Sequence, residues 1–215
     1  MQKAIVIGST GLVGTQLIKQ LLENPDYSEV ISLVRRESDV THVKLSEHVV
    51  VFDAPDSWKL LVKGDVLFSA MGTTIKQAKS KENQYKIDFT YQYETAKIAA
   101  ENGVPTYVLV SSTGANPNSL FFYSNMKGKL EEEVKKLPFK TIHVLQPGQL
   151  DGDRTENRIL EKWGLKVMYK LNDRGFLKKL RPIQGQEVAT AMIAVSNKPD
   201  SGIYRLDELF ELIEN

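Results

Sequence analysis

The stretch Gly8-Ser9-Thr10-Gly11-Leu12-Val13-Gly14, entered from the apolar run Ala4-Ile5-Val6-Ile7, decides the fold. An apolar run of that length, closed by glycine, reads as a buried strand. Glycine at the first, fourth and seventh positions lets the chain turn tightly and leaves no Cβ between the backbone and an approaching anion. The stripe Leu12, Val13, Leu17, Ile18, Leu21 and Leu22 has helical spacing. Free N–H groups and the positive end of a helix dipole therefore face the same turn. The spacing Gly-x-x-Gly-x-x-Gly differs from the Gly-x-Gly-x-x-Gly dinucleotide fingerprint, and glycine turns also serve as plain strand-to-helix connections. A strand before, a helix after and a βαβ-length unit around it select the phosphate-binding turn. Residues 8–14 are candidate dinucleotide contacts.

Outward from this turn, short apolar runs alternate with longer amphipathic segments, which predicts a parallel sheet covered by helices. Strands are expected over 3–7, 30–34, 49–52, 66–68, 107–110 and 141–145. The first helix should end at Asn24-Pro25. A long one over 80–102 is closed by Gly103 with Pro105 beyond, and another over 121–136 stops before Pro138. Further helical segments fall near 156–163, 186–197 and 206–213. Residues 1–150 thus read as a doubly wound parallel sheet of the α/β class, a Rossmann fold, with a small mixed C-terminal cover. No repeat, low-complexity tract or linker divides the chain, so 1–215 reads as a single domain.

The 28 basic and 27 acidic residues leave a net charge of +1. No global field then points to nucleic acid or an anionic membrane. Lys135-Lys136 and Lys178-Lys179-Leu180-Arg181 read as solvated faces. The chain has no cysteine, which excludes disulfide and thiolate chemistry and fits a reducing cytoplasm. No uncharged run could span a bilayer, and only four apolar residues precede Gly8, so a soluble cytoplasmic protein is expected. His42, His48 and His143 lack metal-ligand spacing, and no metal is expected. Nothing in the sequence sets an oligomeric state.

In such sheets ligands bind at the carboxyl ends of the strands. Arg35-Arg36 follows strand two, where an NAD site would place a carboxylate for the ribose hydroxyls. Guanidinium forks suit a 2′-phosphate instead, the alternative being a charged turn continuing into Glu37-Ser38-Asp39. Asp53, after strand three, suits an adenine edge or equally a helix cap. Ala70-Met71-Gly72 after strand four lets a cofactor lie against backbone. Pro147, after strand six, forms a wall beside a nicotinamide ring.

Strand five ends in Ser111-Ser112-Thr113-Gly114, and Tyr123-Ser124-Asn125-Met126-Lys127 opens the next helix. Tyr and Lys four apart share a helix face. A tyrosine hydroxyl ordinarily titrates near 10, and a neighbouring ammonium stabilises its phenolate. Such a tyrosine can give a proton to a carbonyl that receives hydride, while a serine hydroxyl holds the developing oxyanion. Alone, Tyr-x-x-x-Lys is more often a surface pair. Ser112, eleven residues before Tyr123, makes a site of Ser112, Tyr123 and Lys127.

With these residues the chain resembles the short-chain dehydrogenase/reductase superfamily, and within it the atypical branch related to the human Tat-interacting protein. The likeness runs through residues 8–14, Leu33-Val34-Arg35-Arg36, Met71-Gly72-Thr73-Thr74, Val110 to Ala115, Tyr123 to Gly128 and Gln146-Pro147-Gly148. It implies a Rossmann-fold protein that binds NADP(H), or in second place NAD(H), with Ser112, Tyr123 and Lys127 in the catalytic positions. The chain departs at Asp88, where the superfamily often has Asn, and in a segment after strand six that is short beside those of nucleotide-sugar epimerases.

The first expectation is therefore an oxidoreductase for a small carbonyl or alcohol. The second is a dinucleotide-binding regulatory or scaffold protein acting on a protein partner with little turnover. A sugar-nucleotide epimerase comes third. Substrate walls are expected from 116–122 and 150–179, where Trp163, Tyr169 and Phe176 line a pocket or simply pack.

Overall fold

The computed structural model describes residues 1–151 and 181–214. Among them, strands β1 (Gln2–Ile7), β2 (Tyr27–Val34), β3 (Leu45–Val49), β4 (Val66–Ser69), β5 (Thr106–Val110) and β6 (Thr141–Gln146) precede a small ladder of β7 (Leu150–Asp151) and β8 (Ile183–Gln184). A last strand, β9 (Gly202–Arg205), rejoins the main sheet. That seven-stranded sheet has the order β3-β2-β1-β4-β5-β6-β9 with every pair parallel. The strand order reverses between β1 and β4, the place where such sheets open a crevice. In register, Ile7 lies opposite Ser69, so both strands end at one edge, beside Gly8 and Ala70.

Both faces of the sheet are buried, and the strand residues alternate between them. Ala4 and Val6 join Phe68, Val108 and Leu145 against helix α1 (Leu12–Glu23) and the helix Gly185–Ser196. Ile5 and Ile7 join Leu67, Leu109 and Val144 against α4 (Tyr91–Glu101) and α5 (Phe122–Val134). The Rossmann-type α/β expectation is therefore met.

Three elements differ from the sequence reading. Strand three runs over Leu45–Val49 rather than 49–52. It is an edge strand, so its residues are half-exposed and carry little apolar signal. Val50 and Phe52, just beyond it, are buried in one apolar cluster with Ala96 and Ala99 of α4. Phe52 packs edge-on against Trp58 at 5.7 Å and stacks on Tyr91 at 5.2 Å. After the short α2 (Ile75–Ala78), the helix expected over 80–102 is three pieces: α3 (Lys81–Tyr85), a π turn (Lys86–Thr90) and α4. A π turn admits an extra residue, and this one carries the fully buried Asp88 inward. The C-terminal portion is more than cover, since β9 pairs with β6 as a short edge strand. The helical segment read at 156–163 lies outside the described residues. Among the described residues no helix is long and apolar enough to cross a membrane.

Candidate functional site

At the switch point the glycines act as the turn requires. Gly8 has φ +79°, and a Cβ there would lie 2.5 Å from the Ala70 carbonyl carbon. A Cβ on Gly14 would lie 2.7 Å from the Gly8 carbonyl carbon and 2.8 Å from Ser9 Cα. These two glycines let α1 and the end of β4 close directly onto the turn. Gly11 differs: its Cβ would meet only the Gly8 carbonyl oxygen at 3.3 Å and the Ala70 carbonyl oxygen at 3.9 Å. It is the N-cap of α1, with no side-chain cap and no carboxylate in the first turn. The early N–H groups of α1 are thus left for a ligand. Ser9 is buried and accepts a hydrogen bond from Ser32 Oγ at 2.8 Å, tying the turn to β2.

The opposite wall is the Ala70-Met71-Gly72-Thr73 segment. Thr73 N–H donates to Asp88 Oδ1 at 2.8 Å, and Gln84 Nε2 donates to the Thr73 carbonyl at 3.1 Å. The π turn therefore braces this wall through Asp88. Gln92 extends the brace, donating to the Asp88 carbonyl at 2.7 Å and accepting from Ser69 Oγ at 2.8 Å.

Between turn and wall lies a cleft of about 1350 Å³. Of the expected residues, Thr10, Gly11, Leu12, Val13, Ala70, Met71, Gly72, Tyr123 and Lys127 line it. Gly8, Ser9 and Gly14 stand behind its surface as packing. Tyr123 is half-exposed, whereas Lys127, one turn later on α5, is 2% exposed. Arg35 and Arg36 are exposed and line a second, smaller cavity with Glu37. Thr10 borders both cavities.

Three further expected residues line neither cavity. Asp53 pairs with Lys86 at 2.8 Å, and that hydrogen bond holds its carboxyl below the usual range. Ser112 donates its hydroxyl to the Thr113 carbonyl at 3.3 Å, and Ser111 lines the cleft in its place. Pro147 is buried, its carbonyl accepting from Thr113 N–H at 3.0 Å. Trp163, Tyr169 and Phe176 lie outside the described residues. The sequence reading missed Ser32, Ser111 and Gln184, and gave no role to Asp88 beyond its departure from Asn. Gln184 had a signal, since Glu187 three residues on completes a capping box. Ser32 and Asp88 had none, because their partners are distant in sequence.

A parallel sheet with its switch point at a glycine turn, an uncapped helix N-terminus and backbone walls defines a dinucleotide-binding α/β protein. The chain belongs to the NAD(P)H-binding family, which matches residues 8–199. It is 38% identical over 206 residues to the mitochondrial protein FMP52 of Debaryomyces hansenii, covering 91% of this chain and 88% of that relative. It is 34% identical over 203 residues to the mitochondrial FMP52 of Candida albicans, covering 92% and 89%. In fold it is similar to the Bordetella bronchiseptica enzyme WbmH in complex with NAD+, with TM-score 0.72, 13% identity, and 95% of this chain and 75% of that one covered. The ADP-L-glycero-D-manno-heptose-6-epimerase of Helicobacter pylori gives TM-score 0.70 at 18% identity, covering 100% and 82%.

The relatives also correct one expectation. Their names place them in mitochondria, against the cytoplasmic location read from composition. A chain without thiols is indifferent to the redox poise around it, so the lack of cysteine carried no compartment signal.

Proposed function

We propose that the cleft takes NADP(H) and that the protein interconverts a small carbonyl compound and its alcohol by hydride transfer. The observation that carries this reading is Lys127, an ammonium buried in the cleft wall one helical turn from Tyr123. The cradle at Gly11, which Gly8 and Gly14 let close from behind, and the uncapped N-terminus of α1 fit a pyrophosphate. Arg35 and Arg36, beside Thr10, would hold a 2′-phosphate.

The dinucleotide, when bound, supplies or accepts the hydride at its nicotinamide ring. Tyr123 hands its hydroxyl proton to the carbonyl oxygen as that carbon is reduced, and takes it back in the reverse direction. Lys127 would hold the ribose hydroxyls and stabilise the phenolate that Tyr123 leaves. Ser112 steadies the substrate oxygen.

A second reading has its own observation. The hydroxyl of Ser112 is turned onto the Thr113 carbonyl rather than lining the cleft. That favours a protein that binds dinucleotide with little turnover and reports its occupancy to a protein partner. The motif likeness to the Tat-interacting branch belongs to this second reading. An assay of NADPH oxidation over a panel of aldehydes and ketones separates the two. The first reading expects at least one substrate to be turned over. Saturable NADPH binding with no oxidation across the panel would leave the second.

A further inference from the structure

Behind the cleft wall, side chains from four separate places in the chain form a buried line of hydrogen bonds. Ser111, just past β5, lines the cleft and donates its hydroxyl to Glu131 Oε1. Glu131, 5% exposed, lies on α5 four residues after Lys127 and eight after Tyr123. All three therefore share one helix face. Gln146, at the end of β6, donates Nε2 to both carboxylate oxygens at 2.9 Å. Its Oε1 accepts from Arg205 Nε on β9 at 3.0 Å, which fixes the amide with its NH2 toward Glu131. With its hydrogen given to the carboxylate, Ser111 Oγ presents only lone pairs to the cleft. Lys127 has three donors and makes no hydrogen bond or ion pair with the described residues. A buried ammonium requires compensation, and the carboxylate on its own helix face is Glu131.

We infer that Glu131 is a positioning residue for the cleft. Through Ser111 it holds an acceptor at the end of β5, in the wall that Lys127 also lines. Gln146 and Arg205 hold the carboxylate from behind. The inference rests on the reading of Lys127 as the ribose-holding group, and extends that reading to residues that no motif marks.

The test measures NADPH affinity by nicotinamide fluorescence, steady-state turnover and melting temperature for the wild type, Glu131→Gln, Ser111→Ala and the double variant. Glu131→Gln should melt near the wild type, bind NADPH about tenfold more weakly and lose at least as much in kcat, with KM for the carbonyl substrate unchanged. About tenfold is what one hydrogen bond to a charged group contributes. Ser111→Ala should move affinity the same way. The double variant should be no worse than Glu131→Gln, because without the carboxylate the hydroxyl is no longer held as an acceptor. Wild-type affinity and kcat in Glu131→Gln would overturn the inference, as would defects that simply multiply in the double variant. Should Glu131→Gln fail to fold, Ser111→Ala decides alone: weakened NADPH binding supports the role and wild-type binding overturns it. If the wild type reduces nothing on the panel, the oxidoreductase reading falls. The affinities then still decide the role of Glu131.

Discussion

The two ends of the cleft are built by opposite means. At the glycine turn the ligand surface is backbone, open where Gly11 carries no side chain, with Gly8 and Gly14 letting the turn pack behind it. At the β5–α5 end it is side chain, made by burying polar groups: Lys127, and beside it Ser111, Glu131 and Gln146 tied to one another. A surface of backbone N–H groups suits a ligand part that is always the same, such as a pyrophosphate. A surface of oriented side chains suits chemistry, where a proton must sit on a particular atom. Binding and turnover should therefore fail separately.

The largest expected effect tests that separation at the side-chain end. Tyr123→Phe keeps the ring and removes the transferable proton, so turnover should fall by roughly 10²–10⁴ while NADPH affinity changes only a few fold. Steady-state assays beside a fluorescence titration check it, and wild-type turnover would refute the assignment. Lys127→Ala should instead weaken both quantities.

Arg35 sharpens the contrast from the other end, because it adds a charged side chain to a backbone surface. Arg35→Ala should reduce the preference for NADPH over NADH by roughly 1.5–3 kcal/mol, as a lost hydrogen bond between charged groups does. Titration calorimetry with both cofactors measures this. Equal affinities in the wild type would show that Arg35-Arg36 is only a charged turn.

Much of this division follows from sequence distance. The glycine turn lies within seven consecutive residues, and its cause is local, so it was legible. The sheet was legible for the same reason, as Ala4 to Ile7 and Tyr107 to Val110 are short buried runs. Edge strands were not: β3 and β9 are only half-buried, so little apolar signal marks them. The π turn was hidden because 80–102 carries helical signal throughout, and only the bond from Thr73 N–H to Asp88 shows why it bulges. Tyr123 and Lys127 were legible as a pair four apart. Their support was not, since Ser111, Glu131, Gln146 and Arg205 meet only once β5, α5, β6 and β9 are in place.

Smaller effects separate the glycines and then the sheet from the cleft. Gly14→Ala presses a methyl into the Gly8 and Ser9 backbone, and overpacking of that kind costs about 1–3 kcal/mol. Thermal unfolding should show that loss without any ligand present. His143, buried on β6 with Nδ1 3.3 Å from the Tyr204 hydroxyl, is pushed by burial from 6.5 down to about 4. The unfolded chain takes up its proton first as pH falls. The stability that His143 contributes is therefore present above pH 6.5 and lost as pH drops toward about 4. That amounts to about 3 kcal/mol. Denaturant unfolding across that range, in wild type and His143→Gln, should show a shallower acid limb in the variant.

Gly11→Val tests the central claim, that this turn is a dinucleotide cradle and not a plain connection. A Cβ at Gly11 would lie 3.3 Å from the Gly8 carbonyl oxygen, which need give by only a few tenths of an ångström, and Gly11 itself lines the cleft. Calorimetric titration with NADPH, beside a melting curve without it, is the measurement. The variant should melt close to the wild type and give no binding heat. A variant that melts normally and binds NADPH with wild-type affinity would contradict that claim.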